Sequence, residues 1–223
     1  MKNRTILAAT AAIALTACSA VNSTLAERSE AIEMYHIYDV KTNADTATIA
    51  RAASDGLAAN TNNVQTAMPL QIGKVVPNVP GRFSIDDVAA GLSGQNSAML
   101  KMLSNQSGGL GMKVANCADA VWTSKAVRSI SGSNNLTLYT CVYKYRSGYN
   151  VDMYAVFTKQ SGGLYQLVRE GANALAGTPE EWVNKTIIDT IRSIERASGA
   201  RAVHLEGQPE LGPLPAADKL SAK

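Results

Sequence analysis

The sequence predicts an α+β domain in which an antiparallel β-meander packs against a C-terminal amphipathic helix, preceded by a strand–helix unit. Three observations carry this. Residues 136–145 alternate strictly, with Leu138, Thr140, Val142 and Lys144 on one side and Tyr139, Cys141, Tyr143 and Tyr145 on the other. Turns at Arg146-Ser147-Gly148 and Ser161-Gly162-Gly163 divide this strand from a second at 149–158 and a third at 164–169. Beyond them, Thr178-Pro179-Glu180-Glu181 opens a helix on which Val183, Ile187, Ile188, Ile191 and Ile194 recur at helical spacing.

The elements ahead of the meander follow from similar signals. Residues 34–40 alternate as a strand, and Asp45 is placed to cap a helix over 46–59, where Ile49, Ala52, Ala53 and Leu57 form a narrow apolar face. Residues 60–63 mark a loop. From 64 to 80 a thin apolar pattern is broken by Pro69, Pro77 and Pro80, and each proline removes a backbone donor. That stretch is expected to be an extended connection or an edge strand, and a subdivision of the domain is placed near 64–82. Residues 84–92 and 96–104 read as short helices. Met99, Met102 and Met112 read as core filling rather than a soft binding groove or copper-binding sulfurs. Gly108-Gly109-Leu110-Gly111 lacks the spacing of a phosphate-binding loop and reads as a turn before a strand near Met112.

Residues 118–131 are ambiguous, with a helical start and a strand-like end. Thr178 and Glu181 can cap each other's backbone, and Pro179 occupies the first helical position, where its missing donor costs nothing. Gly199 ends that helix, its apolar side is expected to cover one face of the meander, and the domain runs from 31 to 205; if that is the Leu138/Val142 face, the tyrosine face lies towards solvent or another layer. The tail from about 206 onward, with Pro209, Pro213 and Pro215, reads as disordered.

The start of the chain carries an address. Lys2 and Arg4 precede a short apolar run from Ile6 to Leu15, too short to cross a bilayer, and Leu15-Thr16-Ala17-Cys18 follows. This order resembles a bacterial lipoprotein signal peptide with its lipobox. The resemblance implies cleavage after residue 17, lipidation of Cys18, and anchorage in the cell envelope. Ser19 resembles the choice made by lipoproteins destined for the outer membrane and facing the periplasm, and residues 18–30 read as a lipidated start and flexible tether.

With Cys18 assigned to lipid, Cys117 and Cys141 are an even pair in an oxidising compartment, where a disulfide is the default. A closed loop of about 25 residues would stabilise by roughly 3–4 kcal/mol. Their separation and the distance to either His disfavour metal or redox use.

The chain has 21 basic and 18 acidic residues, and removal of 1–17 takes Lys2 and Arg4 with it, so the mature protein is nearly neutral. No concentrated basic face argues for nucleic acid. Catalytic residues, a metal and a cofactor are not expected. The mature chain offers only His36 and His204 as bases, without a positioned nucleophile; a hydrolase would have to work through His36 and Asp39. Tyr139, Tyr143 and Tyr145 are the candidate interaction surface, weighed against burial under a second layer closed by the disulfide. The expected activity is that of a membrane-anchored, non-enzymatic accessory or interaction module with an envelope protein partner. Binding of a small apolar or lipid-like molecule between sheet and helix is the alternative.

Overall fold

A computed structural model of the chain describes residues 28–87, 113–130, 134–161 and 177–212. It is α+β. The strands are β1 (Arg28–Val40), β2 (Asn63–Ala67), β3 (Ser84–Asp87), β4 (Lys113–Asn116), β5 (Trp122–Ile130), β6 (Asn134–Tyr145), β7 (Gly148–Ser161) and β8 (Ala202–Gln208). The helices are α1 (Thr46–Ala58) and α2 (Pro179–Ser198). Six strands form one sheet in the order β2-β5-β6-β7-β1-β8, and β3 pairs with β4 apart from it. Every pairing is antiparallel.

Both helices start as local chemistry dictates. Asp45 accepts the Thr48 amide at 2.8 Å, and Thr178 accepts the Glu181 amide while the Glu181 carboxylate takes the Thr178 amide. Gly199 closes α2 in the left-handed conformation, with φ of 66°. The helices cross at Gly56, where an added Cβ would lie 2.5 Å from the Thr190 Cα. Together they cover one sheet face. Ile49, Leu57, Val183, Ile187, Ile191 and Ile194 pack there with Leu138, Val142, Val151, Met153 and Phe157, all buried. The face of the meander that the helices cover is the one carrying Leu138 and Val142.

The opposite face carries a thinner cluster. Cys117 and Cys141 are joined by a disulfide with Cα atoms 5.4 Å apart, and Ala120, Cys141 and Tyr143 pack with Phe83, Ala115 and Cys117. The bond fastens the segment that follows β4 to β6. Residues 68–83, here called the strap, then cross this face from the β6 side towards β8. The Arg146 amide donates to the Pro77 carbonyl, the Phe83 amide donates to Asp152, and Arg82 pairs with Glu206.

Several expectations are corrected. β1 begins at Arg28 rather than 34, so residues 28–30 belong to the sheet and not to the tether; their backbones pair with Ser161, Gln160 and Lys159. A ladder at the end of a sheet needs no apolar side chains, which is why the polar composition misleads. Ser84–Asp87, expected to start a helix, is β3, because its partner β4 lies far along the chain next to a disulfide. The ambiguous stretch 118–131 contains β5, paired along its whole length with β6. Residues 206–208, expected in the tail, end β8, where an edge strand tolerates polar residues such as Glu206 and Gln208. The stretch after residue 63 does form an edge strand, β2. The expected strand at 164–169, the helix at 96–104, residues 88–92, the glycine turn at 108–111 and the tail beyond 212 lie outside the described residues.

Candidate functional site

Prolines at 69, 77 and 80 keep the strap out of the sheet ladder, so its apolar side chains have no regular partner to pack against. The consequence is direct: Leu70, Ile72, Val75 and Val79 are 83%, 84%, 85% and 75% exposed. Single exposed apolar residues are ordinary on a surface, but four within ten positions on one segment are not. Beneath them the strap closes a cleft of about 690 Å³ with the β6–β7 end of the sheet, walled by Met68, Val76, Pro80, Val121 and Tyr143. Lys74 and Lys144 enter its lining, Lys74 held 2.5 Å from Asp119 and Lys144 lying over the Tyr149 ring.

The inner wall of the strap is aromatic and polar. Phe83 contacts the rings of Tyr35 and Tyr154, and Tyr154 stacks in turn on Tyr139. Asp152, 1% exposed, takes the Phe83 amide at 3.1 Å through one oxygen, and its other oxygen has no hydrogen-bond partner among the described residues. Burial raises its carboxyl to about 6, opposed by the Phe83 amide and by Arg82. Burial also raises the Tyr143 hydroxyl well above the usual phenol range, reinforced by the charges of Asp152 and Asp119.

The three tyrosines read from the sequence do not form one exposed surface. Tyr143 is 1% exposed and lies under Gly81, where an added Cβ would stand 2.7 Å from its ring. Tyr145 is buried and donates to Asp39 at 2.6 Å. Only Tyr139 is half-buried; it lines a groove beside Cys117 and Lys125, with the Lys125 ammonium over its ring. The strap itself covers the centre of that face, which removes the tyrosines as a contiguous contact. Cys18 lies outside the described residues.

His36 and Asp39 do not come together either. Three positions apart on a strand, they face opposite sides of the sheet, and Asp39 is engaged by Tyr145. His36 is fully buried, with Nδ1 3.1 Å from Nε2 of His204 across the β1–β8 pair, and Gly207 leaves room for its ring. Burial lowers His36 to about 4, and the neighbouring His204 adds to this. Among the described residues no group of three His, Cys, Asp or Glu side chains is placed to hold a metal ion, and no helix is long and apolar enough to cross a membrane.

No protein-family model matches the chain, and no curated protein matches it either. The strap had a sequence signal, apolar residues recurring where prolines forbid a central strand. Its exposure depends on which face of the sheet it crosses, which no local pattern encodes.

Proposed function

We propose that this chain is a periplasmic lipoprotein, held in the outer membrane through lipid on Cys18, whose domain is a non-enzymatic accessory module acting by contact. Its partners in this reading are the membrane and a neighbouring component of the envelope that covers the strap. The observation that carries it is the exposure of Leu70, Ile72, Val75 and Val79 on a strap that is tied down through Pro77 and Phe83. The contact reading is favoured over a small apolar ligand held between sheet and helices because the exposed apolar residues lie on the strap and the buried ones pack between sheet and helices.

Photoreactive residues placed at 72 and 75 of the full chain in intact cells test the reading, with position 55 on α1 as the control. Crosslinks to lipid or to an envelope component at 72 and 75 alone are expected; none at either strap position would overturn it. Replacing Cys18 by Ser is expected to release the protein from the membrane fraction, and membrane retention without labelled fatty acid would defeat the anchor.

A further inference from the structure

Resting on the reading above, we infer that the component covering the strap is an anionic lipid surface, and that this contact lays the domain flat on the membrane that anchors it. The end of the sheet at which the cleft opens is defined by the register: Val40 pairs with Tyr149 and with Ala202, and Tyr145 with Gly148. Lys41, Arg146 and Arg201 therefore sit in the chain segments at that end, together with Lys144 in the cleft.

None of these four cations has a carboxylate partner among the described residues, whereas the acids of the same end are occupied. Asp39 takes the Tyr145 hydroxyl, Asp45 caps α1, Asp119 holds Lys74, and Glu195 takes the Ala202 amide. Exposed apolar side chains on the same cleft as Lys144, near cations without a carboxylate partner among the described residues, match a bilayer, where the former enter the acyl boundary and the latter meet lipid phosphates. Val75 and Val79 line the cleft with Lys144, while Leu70 and Ile72, the more N-terminal pair of exposed strap residues, lie outside its lining, so the apolar exposure extends past the cleft.

Chain length sets the orientation. β1 carries the chain from Arg28 to Val40, about 40 Å of strand. Some ten residues separate Cys18 from Arg28, and fully extended they span at most about 35 Å. A domain standing upright on its tether would hold the cleft end away from the bilayer. With β1 parallel to the membrane and the strap face downward, the anchor and the strap reach the same surface.

The full mature chain carrying Cys18→Ser, which has no acyl group, is mixed with vesicles of phosphatidylcholine alone or with one quarter phosphatidylglycerol, and partitioning is read by sedimentation. Binding to the anionic vesicles is expected, with Lys144→Gln or Arg146→Gln weakening it about fivefold each and Ile72→Glu with Val75→Glu removing it. Because both strap residues project into solvent, an unchanged thermal melt confirms that this double variant is folded. Absence of binding to anionic vesicles overturns the inference, as does binding that the strap variant leaves unchanged. If vesicles fail while positions 72 and 75 crosslink to a protein in cells, the contact reading stands and the lipid assignment falls; if the crosslinks also fail, both fall.

Discussion

The two faces of the six-stranded sheet are built by different means. The helix face is closed by two capped helices whose Val, Ile and Leu residues recur at helical spacing and meet the alternate residues of β6 and β7. The strap face is closed by irregular chain, secured at single points: one disulfide, the Phe83 amide on Asp152, the Arg146 amide on Pro77, and the Arg82–Glu206 pair. The first arrangement removes apolar surface from water continuously and supplies most of the stability. The second leaves apolar side chains outside and a buried carboxylate half-satisfied among the described residues, so it is the face with the weaker local fold.

Truncation gives the sharpest contrast. Phe157, 1% exposed on the helix face of β7, has no way to be replaced by its neighbours. Phe157→Ala is expected to lower the unfolding free energy by about 3–5 kcal/mol, whereas Ile72→Ala, on a side chain already in solvent, should change it by less than about 0.5 kcal/mol. Denaturant unfolding of both variants measures the pair. Equal losses would mean that the strap is packed in solution and that the two faces do not differ as described.

The disulfide tests how far the strap face depends on its fastening. Cys117→Ala with Cys141→Ala is expected to cost about 2–4 kcal/mol. The loss should be uneven: amide exchange should accelerate in β3, β4 and the 120–121 turn before it does in α2, because the bond ties the former to β6 and touches nothing on the helix side. Uniform acceleration across the molecule would make the disulfide a global stabiliser instead.

The same contrast explains what could be read from residue order. Caps and periodicity located α2 and its apolar side because both are local: Thr178 and Glu181 are three positions apart, and the isoleucines need only the helical repeat. The alternation of β6 named the two faces correctly. β3 escaped because Ser84–Asp87 has the acidic start of a helix, and its strand character comes from β4 across a long insertion. β8 and the first residues of β1 escaped because they lie at sheet margins, where polar side chains are permitted and only the backbone ladder shows a strand. The alternation put Tyr139, Tyr143 and Tyr145 on one face, and that face is the one away from the helices. What covers them is the strap, and a crossing of that kind is decided by long-range packing.

Acidification is expected to pull the two faces in opposite directions, and the net effect on the intact protein is the smallest of the three. His36 belongs to the helix-side row of β1, and its folded value of about 4 lies below the ordinary 6.5. Its neutral form is the one the fold accepts, so its contribution is complete above about pH 6.5 and is lost as pH falls towards 4. Asp152, on the strap side, has the reverse sign: its folded value of about 6 lies above the ordinary 3.8, the charged form is penalised above pH 6, and stability returns as pH falls from 6 towards 4. In the intact chain these slopes oppose each other over the same interval. Asp152→Asn keeps an oxygen for the Phe83 amide but removes the titration, and should leave a protein that loses stability steadily between pH 6.5 and 4.5. His36→Gln should show the opposite slope, gaining stability over that range. Thermal melts of both variants across this interval separate the terms; parallel slopes in the two variants would mean that neither side chain sits in the environment its face assigns to it.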